Sequence, residues 1–320
     1  MTAFQDQDDF VRHTERFRRE LLAHCYRMLG SLSDAEDLVQ ETYLNAWRSY
    51  ATFEGRSSLR TWLYRIATHA CLKALERGKR RPLPSGLHAP NVEPADAGGE
   101  IAWLQPIPDV LFVAEPDDPA AVAEARESTR LALVAALQHL SPRQRAVLIL
   151  RDVLGWRAAE AAELLDTTPA AVNSALQRAR VRLAEASPTP DNLGELSDPE
   201  LRSLLDRYAD AVARADLAAL TELLVEDATW EMPPEPEWYR GREAVIGFLA
   251  PRLAVDVGFL FVPTTANGQP AFATYRPADE HGVRRAHQIQ VLELSKAGVE
   301  RIVAFCDPSL FVKFGLPQTC

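Results

Sequence analysis

The chain has 320 residues, of which 47% are apolar and 25% are charged, and its formal net charge is −10. This length predicts about two domains, with enough apolar side chains for each to form a core. No apolar run approaches the roughly 18 residues that cross a bilayer, and the polar, acidic start MTAFQDQDDF is unlike a signal peptide. These features exclude an integral membrane protein and predict a cytoplasmic location.

The four cysteines, Cys25, Cys71, Cys306 and Cys320, are scattered and form no C-x-x-C pair. This spacing predicts neither a disulfide framework nor a metal site. Buried structural roles are the expected ones for Cys25 and Cys71, and nothing in the sequence calls for a cofactor.

Charge is distributed unevenly along the chain. Residues 1–81 contain 14 Lys and Arg against 11 Asp and Glu, and residues 126–187 contain 9 against 6. Residues 82–125 contain none against 8, and residues 188–320 contain 12 against 20. Two mildly basic blocks therefore alternate with two acidic ones, which fits DNA-facing modules joined to parts that stay off DNA.

Residues 8–81 have helical periodicity throughout. Apolar residues from Phe10 to Leu29 predict one or two amphipathic helices that end at Gly30. Ser33 is the expected N-cap of the next helix, and Glu36 completes a capping box. The core-facing residues of that helix are Leu38, Val39, Thr42, Ala46 and Trp47, and its outward residues are Asp34, Asp37, Gln40 and Glu41.

A turn-rich loop, residues 53–58, precedes a long helix that begins near Leu59 and ends in a basic run. Trp62 lies on this helix among cations that include Arg65 and Lys73. Aromatic rings interleaved with cations beside a loop suit unpaired bases, which stack on the ring while Arg neutralises phosphate. Core packing of Trp62 explains the pattern equally well.

Residues 82–125 are rich in Pro, Gly, Ala and acidic residues, which predicts a mostly extended acidic linker. The apolar run IAWLQPIPDVLF, residues 101–112, interrupts it. Such a run predicts a segment that docks onto another surface, and an isolated buried turn is the alternative.

Residues 140–185 contain three short helical stripes. In the last one, the apolar residues from Val172 to Leu183 step by four, three and four, which is one helix face. Thr168 is the expected N-cap, Pro169 the first helical residue, and the small alanines before them permit close crossing, so the pattern predicts a helix-turn-helix. The outward face of its last helix suits base edges and phosphates, although a solvated face explains it too. This face contains Asn173, Ser174, Gln177, Arg178, Arg180 and Arg182.

A second linker, residues 188–199, leads to a C-terminal part of different character. Helices followed by an antiparallel sheet predict an α+β architecture there. The expected helices lie near 200–214, 216–224 and 242–250, and the expected strands near 228–232, 257–264, 271–276, 284–294 and 298–306.

Several side chains of the C-terminal part are candidates to line a pocket. A His and Asp pair among them suits acid–base chemistry on a small cyclic substrate, whereas a structural role for the histidine is the simpler interpretation. The candidates are Trp230, Met232, Trp238, Tyr239, Phe248, Tyr275, His287 and Asp307.

Four motifs in the two helical parts have a specific family resemblance. The motifs DAEDLVQETYLNAW, F-x-G-x-S-S-L-x-T-W-L-Y-R-I-A, LSPRQRAVLILRDVLGW and V-x-S-x-L-x-R-A-R resemble, in this order, the two domains of an extracytoplasmic-function sigma factor of bacterial RNA polymerase. The stretch WEMPPEPEWYRGREAVIGFL resembles a SnoaL-like, cone-shaped domain, and CDPSLFVKFGLP resembles the tail found when that domain is fused to sigma factors. The implied fold is multidomain: two all-α sigma domains, residues 8–81 and 126–187, followed by an α+β domain, residues 200–320.

The resemblance implies roles for the matching residues. The residues that match the family's core-binding segment, and so are expected to bind the coiled coil of the largest polymerase subunit, are Asp34, Asp37, Leu38, Gln40 and Glu41. Melting and reading of the −10 element falls to Phe53, Gly55, Arg56, Ser57, Ser58, Trp62, Arg65, Ile66, His69, Lys73, Arg77 and Arg80. Reading of the −35 element falls to Asn173, Ser174, Gln177 and Arg178, with Arg180 and Arg182 toward phosphates. His69 stands where the family usually has Asn, and Asn173 and Ala175 stand where Lys or Arg is common, so the preferred promoter sequence stays open.

The expected function is that of a non-enzymatic promoter-specificity subunit with a fused C-terminal regulator. Its expected partners are core polymerase, promoter DNA and, in the C-terminal domain, a small-molecule ligand. One alternative is a ligand-responsive DNA-binding regulator that acts without polymerase, which does not need the DAEDLVQE segment. Another is an active cyclase, isomerase or hydrolase fused to DNA-binding modules.

Overall fold

The computed structural model describes residues 7–50, 53, 55, 57–78, 80–92, 101–112, 119–186 and 199–320. The chain divides into two compact units, one formed by residues 1–81 and 110–188 and the other by residues 82–109 and 189–320. The first unit contains two helical blocks, and the second contains a mixed sheet with helices. No helix in the described part of the chain is both long and apolar enough to span a membrane.

In the described residues of the first helical block there are four α-helices, which pack on one another. These are α1 (Gln7–Thr14), α2 (Arg18–Leu29), α3 (Leu32–Ser49) and α4 (Leu59–Arg77), with a 3-10 turn at Glu15–Phe17. Tyr26, Leu63 and Tyr64 are fully buried. Cys25 and Cys71 are fully buried as well, which agrees with the structural role expected for them.

The start of α3 differs from the prediction. Ser31, not Ser33, is the N-cap: its backbone is extended and its Oγ accepts a hydrogen bond from Asp34 N at 3.2 Å. The helix begins two residues early because Leu32 is fully buried and becomes its first residue. Gly30 ends α2 in the left-handed region at φ 68°, as predicted.

The sequence predicted that Trp47 faces the core, but the structure places it at the surface. Its side chain is 42% exposed, and one edge of the ring packs against Phe10 at 5.4 Å. The helical stripe of α3 is therefore narrower than the apolar pattern indicated.

Where the structure describes the second helical block, residues 110–112 and 119–186, its α-helices are α5 (Pro119–Glu127), α6 (Leu131–Leu137), α7 (Pro142–Leu148), α8 (Ala158–Leu164) and α9 (Pro169–Ala186). A π-helical turn, Ile149–Val153, extends α7. α7 and α8 both pack on α9, which forms the predicted helix-turn-helix. α5 begins inside the stretch whose composition predicted an extended linker, so regular structure starts earlier than expected.

The second unit contains the α+β domain. Its helices are α10 (Pro199–Ala213), α11 (Leu217–Leu223), α12 (Arg242–Val255) and α13 (Leu310–Lys313). Its strands are β1 (Leu224–Glu231), β2 (Trp238–Arg240), β3 (Leu260–Ala266), β4 (Gln269–Tyr275), β5 (Ala286–Ser295) and β6 (Gly298–Phe305).

The six strands form one sheet in the order β2-β1-β6-β5-β4-β3. The sheet is mixed, not antiparallel as predicted, because β6 returns beside β1 and runs parallel to it. The short strand β2, which the sequence did not predict, pairs antiparallel with β1 at the edge. Helices α10, α11 and α12 cover one face of the sheet and bury Tyr208, Trp230 and Phe248 against it.

Candidate functional site

A groove of about 430 Å³ lies between α3 and α4 in the first helical block. Glu41 and Asn45 form its α3 wall. The α4 wall consists of residues spaced three or four apart, which share one face of a helix. They are Trp62, Arg65, Ile66, His69, Ala70 and Lys73. The groove therefore combines an indole with two cations and an imidazole.

The ring of Trp62, which lines this groove, packs against neighbouring rings. Its ring lies 4.8 Å from the Phe53 ring at an interplanar angle of 34° and 6.2 Å from the Tyr50 ring. Ser58 fixes the start of α4 because its Oγ accepts a hydrogen bond from Thr61 N at 3.0 Å. Trp62 is half-buried, so it both packs and lines the groove.

The remaining residues predicted for the −10 element differ in their surroundings. Ser57 is half-buried and Lys73 is exposed. Arg80 Nη2 donates a hydrogen bond to His139 Nε2 at 2.8 Å. Arg56 and the side chain of Arg77 lie outside the described residues.

Arg65 and His69 contact the second helical block. Arg65 Nη2 lies 2.9 Å from Asp166 Oδ1, in the turn between α8 and α9. His69 Nε2 donates a hydrogen bond to the carbonyl oxygen of Leu164 at 2.9 Å and lies 3.7 Å from Asp166 Oδ2. The sequence did not predict these contacts.

The outer face of α3 contains the residues predicted to bind polymerase. Asp37, Gln40 and Glu41 are exposed, Leu38 is half-buried, and Asp34 forms an ion pair with Arg81 at 2.6 Å. The same face continues to two apolar side chains that the sequence analysis missed, Leu44 and Trp47, which are 56% and 42% exposed. The spacing of three and four residues from Asp37 onward was the signal that pointed to them.

Helix α9 presents its predicted outward face. Asn173, Ser174, Gln177 and Arg178 are exposed, whereas Val172, Leu176 and Ala179 are buried. Thr168 caps the helix as predicted, since its Oγ1 accepts a hydrogen bond from Ala171 N at 3.2 Å.

The last two cations of this face have protein partners. Arg180 donates two hydrogen bonds to Asp152, at 2.9 and 2.8 Å. Arg182 Nη1 donates to Gln144 Oε1 at 3.3 Å. Each guanidinium has five N–H donors, so these bonds use only part of its donor capacity.

The aromatic residues predicted to line a pocket lie in the C-terminal domain's core or at its edges. Trp230 is 3% exposed, and Tyr239 stacks on Phe248 at 4.4 Å. Tyr275 is buried against Phe311, and its hydroxyl donates to the carbonyl oxygen of Pro317 at 2.8 Å.

His287 and Asp307 have separate partners. The His287 ring stacks on Phe259 at 5.6 Å, and burial lowers its pKa to about 4. Asp307 Oδ1 accepts a hydrogen bond from Ser309 N at 2.9 Å. The structure thus favours the structural interpretation of His287.

Residues 82–109, which we call the strap, belong to the same unit as the C-terminal domain. One end is held at the β1–β2 edge of the sheet. Trp238 Nε1 donates to the carbonyl oxygen of His88 at 2.8 Å, and Asn91 N donates to the carbonyl oxygen of Trp238 at 2.9 Å. Ser85 N donates to Glu231 Oε2 at 2.8 Å, and Glu231 is paired with Arg301.

The other end of the strap is held by the hairpin that joins β3 to β4. Asn267 Oδ1 accepts from Ile107 N at 3.1 Å, and Asn267 N donates to the carbonyl oxygen of Ile107 at 2.9 Å. Gly268 N donates to Asp109 Oδ1 at 2.8 Å. Leu104 and Ile107 are 1% and 0% exposed, so the apolar run is a docked segment, as the sequence predicted.

Comparisons with known proteins agree with this architecture. Family models match residues 14–81 (Sigma-70 region 2), 130–183 (Sigma-70, region 4) and 205–305 (SnoaL-like domain). The chain is 50% identical to the ECF RNA polymerase sigma factor SigG of Mycobacterium tuberculosis over 323 aligned residues, which cover 99% of this chain and 86% of SigG. The chain belongs to the extracytoplasmic-function sigma factors.

A second relative of this sigma factor is SigJ of Mycobacterium tuberculosis, which is 30% identical over 75% of this chain and 72% of SigJ. The crystal structure of SigJ has the same fold, with a TM-score of 0.61 and 24% identity over 96% of this chain and 99% of that one. The sigma factor thus directs promoter recognition and transcription initiation, with a SnoaL-like domain fused at its C-terminal end. Sigma factors are not an enzyme family, although the SnoaL-like fold includes isomerases.

Proposed function

We propose that this sigma factor uses three surfaces of its helical blocks. The outer face of α3 binds the coiled coil of the largest polymerase subunit, the groove between α3 and α4 holds unpaired bases of the −10 element, and the outward face of α9 binds the −35 duplex. Its place of action is then the cytoplasm. The groove is the observation that carries the proposal, because an aromatic wall beside Arg65 and Lys73 suits a base and its phosphate.

Run-off transcription with reconstituted core polymerase tests the groove. Trp62→Ala should lower initiation on duplex promoter DNA and lower it much less on a template already melted at the −10 element, because stacking helps to hold the strands apart. Val11→Ala, at a 47% exposed position of α1, is the control. Equal activity of Trp62→Ala and the control on duplex DNA would contradict this role.

Binding to core polymerase tests the outer face of α3. Gln40→Ala and Leu44→Ala should each weaken co-elution with core polymerase, since exposed apolar and amide groups on one face suit a protein interface. Val11→Ala removes an apolar side chain of similar exposure, 47%, from α1 and should bind normally. Normal binding by all three variants would show that the interface lies elsewhere.

We infer that the C-terminal domain modulates initiation through the strap. The strap is the chain that connects the two helical blocks, and the C-terminal domain holds it at both ends. Asn91→Ala and Asn267→Ala should release one end each and change run-off yield in the same direction. Yields equal to that of the unaltered chain for both variants would refute modulation through the strap.

The proposed role of the C-terminal domain does not include catalysis. His287 and Asp307 make separate contacts, and the buried aromatic residues pack in its core. Regulation needs only a surface that holds the strap.

A further inference from the structure

The two helical blocks contact each other through the face proposed to bind the −10 element. The carboxylate of Asp166 lies 2.9 Å from the Arg65 guanidinium, and the carbonyl oxygen of Leu164 accepts from His69 Nε2 at 2.9 Å. Leu164 ends α8, where the last carbonyl groups have no partner within the helix. Together they offer α4 a carboxylate and a carbonyl oxygen, which are acceptors like those of a DNA phosphate.

We propose that the turn between α8 and α9 is an internal occupant of the −10 face, and that promoter DNA must displace it from Arg65 and His69. This inference rests on the function proposed for the groove. It assigns Asp166 a role that the helix-turn-helix pattern does not provide, since Asp166 contacts α4 instead of capping α9.

The strength of the contact suits an occupant that must leave. The side chains of Arg65 and Asp166 are 45% and 64% exposed, and ion pairs of that exposure are weak and screened by salt. A DNA strand, which presents many phosphates, competes effectively with one carboxylate.

The interface between the blocks combines apolar packing, such as the Tyr64 ring against the Trp156 ring, with two buried cations. Arg27 and Arg145 are buried there, and their side chains hydrogen-bond to neutral groups: Arg27 to Ser128 Oγ at 2.9 Å, and Arg145 to Gln138 Oε1 at 2.7 Å and to the carbonyl oxygen of Met28. Burial lowers the pKa of both guanidinium groups, that of Arg145 to about 10. For Arg145, burial of the cation against neutral acceptors beside the charge of Arg80 opposes association, and separation of the blocks relieves that cost.

Asp166→Asn tests the proposal with little change of shape. Asp166 has φ 50°, in the left-handed region that Asn tolerates well, so the turn is retained. Glu127→Gln is the matched control: it removes the same charge from an exposed carboxylate that pairs with Arg130 at 2.7 Å, at the end of α5. Both variants are made in the full chain.

The probe is a fluorescent single-stranded DNA 12-mer of mixed sequence, titrated at two salt concentrations. Asp166→Asn should bind it about two- to fivefold more tightly than the unaltered chain, the range that loss of one exposed ion pair from the closed form produces. Glu127→Gln should bind with unchanged affinity. Equal affinity of the two variants would overturn the proposal.

A double-variant cycle separates unmasking from a general charge effect. In an Arg65→Ala background, Asp166→Asn should give little further gain, because its partner is already absent. A full gain in that background would overturn the proposal. If instead Arg65→Ala and Trp62→Ala both bind the 12-mer as well as the unaltered chain does, the proposed −10 function of the groove fails.

Discussion

Truncation of one strap side chain provides a quantitative test of how the C-terminal domain holds the strap. Ile107 is fully buried, and its backbone N–H and C=O both bond to Asn267. Ile107→Ala removes three carbon atoms from a buried site, which typically costs about 2–5 kcal/mol. If the loss falls on docking of the strap, a value near 3 kcal/mol raises the population of the undocked strap ~100-fold.

Amide hydrogen exchange measures that population. The N–H groups of residue 107, Asn267 and Gly268 all bond across the contact, so each should exchange about 100-fold faster in Ile107→Ala if exchange follows local opening. Amides of β5 and β6, such as that of Val291, should change much less. Val92→Ala, at a 58% exposed strap position, is the control and should leave these rates unaltered.

Two results would refute this reasoning. Unchanged exchange at Asn267 and Gly268 would mean that burial of Ile107 does not hold the strap. Equal acceleration throughout β5 and β6 would mean that the strap is part of the domain core and does not open separately. If exchange at Asn267 and Gly268 is unchanged, release of the strap could not explain any change in run-off yield that Ile107→Ala causes.

Three further predictions follow from the helical blocks. Arg178→Ala should weaken binding to −35 duplex DNA by about 1–3 kcal/mol, the range for a side chain that contacts a base. Arg180→Ala should weaken this binding less, because Arg180 is paired with Asp152. Fluorescence anisotropy with labelled duplex DNA compares the two variants. Burial and the neighbouring Arg27 lower the pKa of His24 to about 3, so the folded state binds fewer protons than the unfolded state, and stability should fall as pH drops from about 6.5 toward 3. Urea titrations of His24→Asn should show a shallower loss over that range. Thr168→Ala should lower the stability of the second block by about 1 kcal/mol, measured by thermal unfolding.

Local signals allowed the helices to be predicted from sequence. Gly30 ends α2 and Thr168 caps α9 as expected, because caps and helix ends depend on residues a few positions apart. The predicted N-cap of α3 was wrong because Ser31 and Ser33 both have a suitable side chain, and burial of Leu32 decided between them. That choice depends on tertiary packing.

The strap and the sheet were only partly predictable. The apolar run at residues 101–112 indicated docking, but its partner, the hairpin at Asn267, is about 160 residues away in sequence. β2 has three residues and follows a proline-rich stretch, so it has no alternating pattern to detect. Its pairing with β1 and with the strap supplies the order that local propensity does not.

The candidate site was predictable to different degrees. Motif resemblance predicted functional roles for residues of α3, α4 and α9, and the structure places most of those whose side chains it describes on exposed faces or in one groove. The contact of Arg65 with Asp166 joins residues 101 positions apart and leaves no periodic signal. The same reason hid the pairing of Arg180 with Asp152.

The covalent position of the strap has a consequence for how such a regulator can respond. A separate inhibitor protein acts according to the ratio of two gene products, and a cell relieves it by destroying or diluting one of them. Here the holding domain and the segment it holds occur at one copy each in every chain, at a local concentration set by tethering and independent of expression level. If the C-terminal domain regulates initiation through the strap as proposed, a signal must alter the contacts of the hairpin and of the sheet edge with the strap, because the ratio of the two parts is fixed.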